Sequence, residues 1–342
     1  MTDALLQAVR KLAANESLDG ETITAAFSQI MRGEGTPALV AALLMALRVK
    51  GETSIEVAGA ARAMRGAMNV LPASNPEMLV DTCGTGGGSI ITFNISTAAA
   101  LLAAGAGVRI AKHGNRSFSS RSGSADVLEA LGIAIEVTPE VMLRTLNDAG
   151  IVFMFAPLMH PAMRHVGPVR RELTIGTVMN IVGPLANPAR AGRQVVGVAE
   201  KGRLPLIAGA LAELGTAHAL VVHGEPGLDE ISPLGITTVI EVREGVISEW
   251  AINPLLAGEG VVSAADLAGG GPEENAAVIE AVLSGGGAPG ARAAVVLNAA
   301  AAIYVSAAGT SYEQAVEIAK AALKEGLGRE TLERLRRASP KD

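Results

Sequence analysis

The sequence is poor in the residue types that most often reveal a function. Of its 342 residues, one is a cysteine and 2% are aromatic. The single Cys83 excludes an internal disulfide and a metal site built from several cysteines, and it fits a reducing compartment. Because aromatic rings are scarce and glycines number 40, the core must be packed largely from small aliphatic side chains.

Long apolar runs and a surplus of basic residues are also lacking. The apolar stretch 293–308 is too short to span a bilayer, and the charged residues Asp3, Arg10 and Lys11 rule out a signal peptide at the start. The formal net charge of -6 argues against a general nucleic-acid or anionic-membrane surface. We therefore expect a cytoplasmic protein that binds neither nucleic acid nor membrane.

The chain divides into two parts that differ in their secondary-structure patterns. Residues 1–70 read as four helices with start signals at Thr2, Asp19, Thr36 and Thr53 or Ser54. From Pro76 onward, short β-like runs alternate with Ala-rich helices. This predicts a small N-terminal helical domain (1–70) and a larger α/β domain (76–342) with a central mixed sheet flanked by helices. The candidate strands are Leu79–Cys83, Val108–Lys112, Ile133–Val137, Ile151–Phe155, Val195–Ala199 and Ala219–His223, followed by a hairpin of Thr237–Val242 and Val246–Trp250.

A glycine-rich loop, 81–89, follows the first candidate strand and precedes a helix that begins near Asn94. Glycines there let backbone N–H groups approach a phosphate, and the helix N-terminus adds free donors. The loop matches neither a Walker motif nor a dinucleotide fingerprint. Alone, it is most simply an ordinary tight turn.

A basic loop, 112–120, follows the next strand and makes anion binding the better interpretation. It holds two cations, an imidazole, an amide and three hydroxyls within nine residues, which suits a highly charged, oxygen-rich ligand. Beyond a later strand stand Asp229 and Glu230, two adjacent carboxylates that suit Mg²⁺ beside a diphosphate, although a solvent-exposed bend would explain them equally. The stretch 155–173 adds three arginines and two histidines among small apolar residues. This pattern is compatible with a binding site for a flat ring that carries a carboxylate, and equally with a connector between domains.

In this order, the segments resemble the anthranilate phosphoribosyltransferases. The resemblance rests on GTGG, FNISTAAA, KHGNRS with its continuation SGSADVLEALG, HPAM through PVRREL, NIVGPLANPA, GLDEIS and VVLNAAAAIYV, and it covers nearly the whole chain. It implies transfer of the phosphoribosyl group of phosphoribosyl diphosphate to the amine of anthranilate, the second step of tryptophan biosynthesis from chorismate. It also implies two Mg²⁺ ions per subunit, a homodimer formed through the helical domain, and return of the helices around 169–182 to that domain.

The same resemblance assigns site residues. Lys112, Asp229 and Glu230 act electrostatically, no residue acts as acid or base, Ser96, Asp229 and Glu230 hold the metal, and Gly84, Asn115 and Arg170 meet anthranilate. Phosphoribosyl diphosphate contacts Gly84, Thr85, Gly87, Gly88, Thr92, Asn94, Ile95, Ser96, Thr97, Lys112, His113, Gly114, Asn115, Arg116, Ser117, Phe118, Ser119, Ser120 and Ser124.

Two positions depart from the family pattern, and two other functions compete. Gly88 stands where the family commonly has Asp, which removes a carboxylate near the metal, and Gly176 stands where an Arg is often found. A pyrimidine nucleoside phosphorylase has a related fold, but the basic loop and the acidic pair argue against it. A non-catalytic nucleic-acid-binding relative would require a basic groove, whereas this chain is acidic.

Overall fold

The N-terminal fifth of the protein is helical, as the capping signals predict. A computed structural model describes residues 3–117, 121–306 and 311–339. Side-chain oxygens cap the first four helices: Asp3 accepts from the N–H of Leu6, Asp19 from Thr22, Thr36 from Leu39, and Thr53 forms a capping box with Glu56. The expected cap Thr2 lies outside the described residues, and Asp3 occupies the cap position. These helices are α1 (Ala4–Ala13), α2 (Gly20–Met31), α3 (Pro37–Lys50) and α4 (Ser54–Gly66).

A single seven-stranded sheet forms the centre of the rest of the described chain, in the order β3-β2-β1-β4-β5-β6-β7. The first five strands in this order are parallel, and β6 and β7 are added antiparallel, so the expected mixed sheet is confirmed. The expected strand Ile133–Val137 is wrong: Ile133 and Ile135 instead bury their side chains in the core between two helices. The strands are β1 (Val80–Gly84), β2 (Ile110–Gly114), β3 (Ile151–Phe155), β4 (Arg193–Gly197), β5 (His218–Gly224), β6 (Thr237–Arg243) and β7 (Val246–Ile252).

Helices cover both faces of the sheet. Val195 and Leu220 point into an apolar cluster with the C-terminal helices, whereas Val196 and Val221 point into a second cluster with α1–α4, as expected for alternating side chains on a strand. The second cluster also includes Val169 and Ile181, which follow β3 in the chain. The remaining helices are α5 (Ile95–Gly105), α6 (Ser124–Ala130), α7 (Pro139–Ala149), α8 (Ala156–Met159), α9 (Gly167–Leu173), α10 (Met179–Val182), α11 (Leu204–Glu213), α12 (Pro272–Leu283), α13 (Pro289–Val305), α14 (Tyr312–Lys324) and α15 (Leu327–Ala338).

This topology brings the predicted site loops to one edge of the sheet. The parallel strands β1, β2, β4 and β5 all end there, and the glycine-rich loop, the basic loop and the acidic pair each follow one of these ends. Ligands of open α/β sheets bind at this edge. None of the helices within the described ranges is long and apolar enough to cross a membrane.

Candidate active site

The glycine-rich loop packs directly against the acidic pair. The loop is anchored by the N–H of Thr85, which donates to the carbonyl of Gly197 at 2.8 Å. A Cβ atom at Gly197 would lie 1.7 Å from the backbone oxygen of Asp229, and one at Gly88 would lie 2.8 Å from Asp229 Oδ1. Glycine at these two positions therefore lets the acidic segment approach the ends of β1 and β4.

The acidic pair meets the start of α5. The backbone N–H of Ser96 donates to Glu230 Oε1 at 3.1 Å. Burial and the neighbouring Asp229 raise the pKa of Glu230 to about 8, although Lys112 and Ser96 act in the opposite direction. Burial also raises the pKa of Asp229, against a hydrogen bond from the backbone of Gly86. Two desolvated carboxyl groups that are incompletely neutralised by the protein form a strong candidate for a cation site.

Lys112 lies beneath this junction and is 3% exposed. Its ammonium group donates to the carbonyl of Thr82 and, at 3.2 Å, to Ser96 Oγ. Burial lowers the pKa of Lys112, while Asp81 and Glu230 oppose that shift. Lys112 therefore places a positive charge under the point where the glycine-rich loop, α5 and the acidic pair converge.

Asp81 and Asn187 form a buried network that the sequence interpretation missed. Asp81 Oδ2 accepts from Asn187 Nδ2 at 2.7 Å, and Asp81 Oδ1 accepts from the N–H of His113 at 3.2 Å. Burial raises the pKa of Asp81 to about 6, against the hydrogen bond from Asn187. The network fixes the end of β2, where the basic loop begins. An acidic residue inside the apolar strand around Val80 was the available sequence signal.

The first part of the basic loop folds back onto α6. The carbonyl of Asn115 accepts from the N–H of Ala125 at 3.2 Å, and Asp126 Oδ2 accepts from the N–H of Ser117 at 3.0 Å. Ser124 Oγ, another predicted contact, donates to the same Asn115 carbonyl at 3.4 Å. The predicted contacts Phe118, Ser119 and Ser120 lie outside the described residues.

Two histidines pack together at the end of β2, and Arg170 lies on α9, which contacts α3. The rings of His113 and His160 lie 4.9 Å apart, and His113 Nε2 and both ring nitrogens of His160 are buried without a hydrogen-bond partner in the described part of the chain. Burial lowers the pKa of His113 to about 3 and that of His160 to about 4, so both rings are neutral at pH 7. Arg170 on α9 is half-buried, and burial lowers its pKa. His160 was not predicted as a site residue, and its signal was its place in HPAM.

Some predicted contacts have side chains turned away from the strand ends. Ile95 is 1% exposed and Thr97 is 2% exposed, so only their backbone groups are available to a ligand. Asn94 Oδ1 accepts from Asn275 Nδ2 at 2.9 Å, and its amide donates to the carbonyl of Ser122 at 3.1 Å. The structure thus assigns these three residues mainly to shaping the start of α5.

A cleft of about 310 Å³ opens beside the glycine-rich loop. Arg48 of α3 and Gly176 line it on the side of the helices, and Thr85, Gly86 and Gly87 line it on the side of the sheet. Both Gly86 and Gly87 have positive φ, of 69° and 85°, a conformation that favours glycine. The loop is therefore open to a ligand.

Two domain families match the chain. Residues 6–68 match the helical bundle domain of a glycosyl transferase family, and residues 76–329 match the a/b domain of the same family.

Relatives that match along nearly the whole chain are anthranilate phosphoribosyltransferases. The anthranilate phosphoribosyltransferase of Rubrobacter xylanophilus is 50% identical over 98% of this chain and 97% of its own length, and that of Thermomicrobium roseum is 47% identical over 96% and 95%. Among solved structures, the anthranilate phosphoribosyltransferase of Thermus thermophilus superposes with a TM-score of 0.91 at 42% identity, covering 97% of this chain and 98% of that one. The Saccharomyces cerevisiae enzyme in complex with PRPP and Mg gives a TM-score of 0.87 at 28% identity, covering 99% and 98%.

Proposed function

The chain belongs to the anthranilate phosphoribosyltransferase family of glycosyl transferases, and on that premise we propose how its residues divide the work of the reaction. The enzyme transfers the phosphoribosyl group of phosphoribosyl diphosphate to the amine of anthranilate, and diphosphate leaves. It is a pentosyltransferase of tryptophan biosynthesis. One observation carries the proposed division: Glu230, Ser96 and Lys112 converge within hydrogen-bond distance at the strand ends beside an open glycine loop.

Mg²⁺ fits the acidic pair. Asp229 and Glu230 are carboxylates whose ionised forms are disfavoured by burial, and Ser96 Oγ lies beside them as a third oxygen. Oxygen ligands of this kind suit a hard divalent cation. We propose that Ser96, Asp229 and Glu230 hold Mg²⁺, two ions per subunit, and that bound Mg²⁺ neutralises charge on the diphosphate. The solved yeast relative was crystallised with PRPP and Mg.

The remaining donors bind the donor substrate. We assign the diphosphate to the backbone N–H groups of Gly84–Gly87 and to the field of Lys112, which oppose the charge that develops as the anomeric C–O bond breaks. The predicted contacts Thr92, Asn94, Ser96 and Thr97 border that position, and His113, Gly114, Asn115 and Ser117 through Ser120 with Ser124 complete the ribose and phosphate side.

The acceptor is placed from the helical side. We assign the anthranilate carboxylate to Arg170, with Asn115 and Gly84 beside the ring, since a guanidinium binds a carboxylate in two parallel hydrogen bonds. The amine is an aryl amine that is neutral at pH 7, so its lone pair needs no base. The amine attacks the face opposite the diphosphate, and orientation supplies much of the rate. No covalent intermediate forms.

Three further features are proposed with this function. The helical domain takes residues 1–70 together with the helices around 169–182, and the α/β domain takes 76–342. Two copies associate through the helical domains as a homodimer, and the enzyme works in the cytoplasm on small molecules.

One assay separates this function from its competitors. Anthranilate is incubated with phosphoribosyl diphosphate, with and without Mg²⁺, and the loss of anthranilate fluorescence is followed. We expect loss that depends on Mg²⁺. Consumption of thymidine with inorganic phosphate would instead identify a nucleoside phosphorylase, and DNA binding without any turnover would identify a non-catalytic relative.

A further inference from the structure

Arg116 is the second cation of the basic loop, yet its guanidinium group is already engaged. Arg116 Nη1 donates to Asp126 Oδ1 at 3.1 Å and also contacts Glu129 Oε2. The guanidinium carbon lies 5.5 Å from the centre of the Phe155 ring. Two carboxylates and an aromatic face thus hold this side chain against α6 and the end of β3.

One of the two carboxylates that hold Arg116, that of Asp126, also holds the loop. Asp126 Oδ2 accepts from the N–H of Gly123 at 2.8 Å as well as from Ser117. A Cβ atom at Gly123 would lie 2.3 Å from the backbone nitrogen of Ser117, so the two chain segments are in direct contact. The backbone of Arg116 also donates to Asn115 Oδ1 at 2.8 Å. The position of Asn115 therefore depends on the contacts that hold Arg116 and the loop against Asp126.

The contacts of Arg116 with Asp126 and Glu129 also affect the net charge beside the basic loop. Asp126 and Glu129 together carry two negative charges, and Arg116 is the cation that contacts both. If Arg116 turned away to bind a phosphate, Asp126 and Glu129 would lose this cation. More negative charge beside the basic loop opposes the binding of a polyanionic substrate.

We propose that Arg116 is a positioning residue that acts by neutralising Asp126 and Glu129, and not a ligand of the phosphoribosyl diphosphate. The inference rests on the proposed function, because it concerns the affinity of the site for that substrate. It replaces the direct phosphate contact that the sequence pattern implies for Arg116.

A charge-rescue experiment tests this role. Arg116→Met, Glu129→Gln and the double variant are compared by the KM for phosphoribosyl diphosphate and by kcat. We expect Arg116→Met to raise that KM about tenfold with little change in kcat, because the variant lacks the positive charge that offsets Asp126 and Glu129. The double variant should recover to within about threefold of the wild-type KM, since one of the repelling charges is gone. Glu129 is changed because Asp126 also holds the loop backbone.

A matched control removes a comparable ion pair outside the site. Arg292 contacts Glu259 through two hydrogen bonds of 2.9 and 2.7 Å, so Arg292→Met should leave the KM unchanged. Two outcomes would overturn the inference: an unchanged KM in Arg116→Met, or a double variant as impaired as the single one, which would make Arg116 a direct ligand.

Calorimetric titration separates this inference from the proposed function. Each variant is titrated with phosphoribosyl diphosphate in the presence of Mg²⁺. Rescue of binding in a protein that does not consume anthranilate would overturn the proposed acceptor and support the role of Arg116. Full anthranilate turnover without rescue would do the reverse.

Discussion

A glutamate lies near each end of strand β5, and the pKa values of the two glutamates are shifted in opposite directions. Near its start, Glu241 accepts hydrogen bonds from His218 Nε2 at 2.7 Å, Trp250 Nε1 at 2.8 Å and Tyr304 Oη at 2.9 Å. Burial alone would raise the pKa of Glu241, but these donors bring it below its ordinary value. Beyond the other end, Glu230 shares its surroundings with a second carboxylate, and its pKa rises to about 8.

This difference distinguishes a carboxylate that stabilises the fold from one that we propose binds a metal ion. A buried carboxylate with a full set of donors stabilises the fold, whereas one whose charge is incompletely compensated costs stability until a ligand supplies positive charge. The aromatic cluster of His218, Trp250, Tyr304 and Tyr312 surrounds the satisfied glutamate. The chain thus places its lone tryptophan and both tyrosines away from the reaction.

The largest expected effect follows from Glu230→Gln. We expect kcat/KM to fall about 100-fold or more, because a proposed metal ligand is lost, while the free energy of unfolding should not decrease, since a poorly compensated charge is removed. Steady-state kinetics and urea denaturation measure both. Glu225→Gln, at an exposed position on the same segment, is the control and should change neither. Lower stability with normal activity would reverse the assignment of the two glutamates.

At the other end, Glu241→Gln should affect stability and spare activity. Breaking the buried contact with His218 should cost about 2–3 kcal/mol of unfolding free energy, measured by urea denaturation with the tryptophan as probe. The exposed Glu249→Gln on the neighbouring strand should cost almost nothing. A large loss of kcat in folded Glu241→Gln protein would contradict the separation.

Arg170 tests where the acceptor substrate binds. We expect Arg170→Ala to raise the KM for anthranilate about tenfold, as for one charge-assisted contact. The adjacent Arg171→Ala, at an exposed position, serves as the control. An unchanged KM in Arg170→Ala would show that the carboxylate binds elsewhere.

The two glutamates should also give opposite pH dependences. The lowered pKa of Glu241 gives stability that is present above the unfolded value, about 4.3, and is lost as pH falls further. The raised pKa of Glu230 gives stability that is present below about 4.3 and is lost as pH rises toward about 8.

Mg²⁺ binding needs ionised carboxylates, so the metal should offset the loss at high pH. Without substrate, we expect the Mg²⁺-induced rise in Tm to be about 2–4 °C larger at pH 8.5 than at pH 6. Thermal melts at both pH values measure it, and Glu230→Gln should abolish the difference. Equal Mg²⁺ shifts in the wild-type protein would speak against Glu230 as a ligand.

The smallest expected effect concerns Gly88. The family pattern implied by the sequence resemblance has Asp at this position. With glycine in its place, the site should bind the second of the two proposed Mg²⁺ ions less tightly and be inhibited less by excess Mg²⁺. Gly88→Asp should restore inhibition, changing activity at high Mg²⁺ by about two- to threefold. Since a Cβ atom here would approach Asp229 Oδ1 to 2.8 Å, Gly88→Ala is the control for the steric part. Identical Mg²⁺ profiles for the wild type and Gly88→Asp would refute the prediction.

Local patterns in the sequence were sufficient for much of the fold. Capping residues such as Asp19 and Thr53 predicted where helices begin, because a cap acts within one turn. Ile151–Phe155 was predicted with its observed bounds, since a buried parallel strand reads as an unbroken apolar run. The same rule failed at Ile133–Val137, where apolar residues enter the core without a neighbouring strand.

By itself, the sequence determined the fold class and the family and predicted the loops to which we assign the chemistry, because these depend on residue type and order along the chain. Only the tertiary structure decided what each charged group faces. Glu230 and Glu241 are both glutamates, but burial and the neighbouring Asp229 raise the pKa of the first, whereas donors from distant parts of the chain, such as His218 and Tyr304, bring the pKa of the second below its ordinary value. Desolvation and hydrogen bonding act between groups that are close in space, so the pKa of a buried carboxylate depends on the folded structure and not on the local sequence.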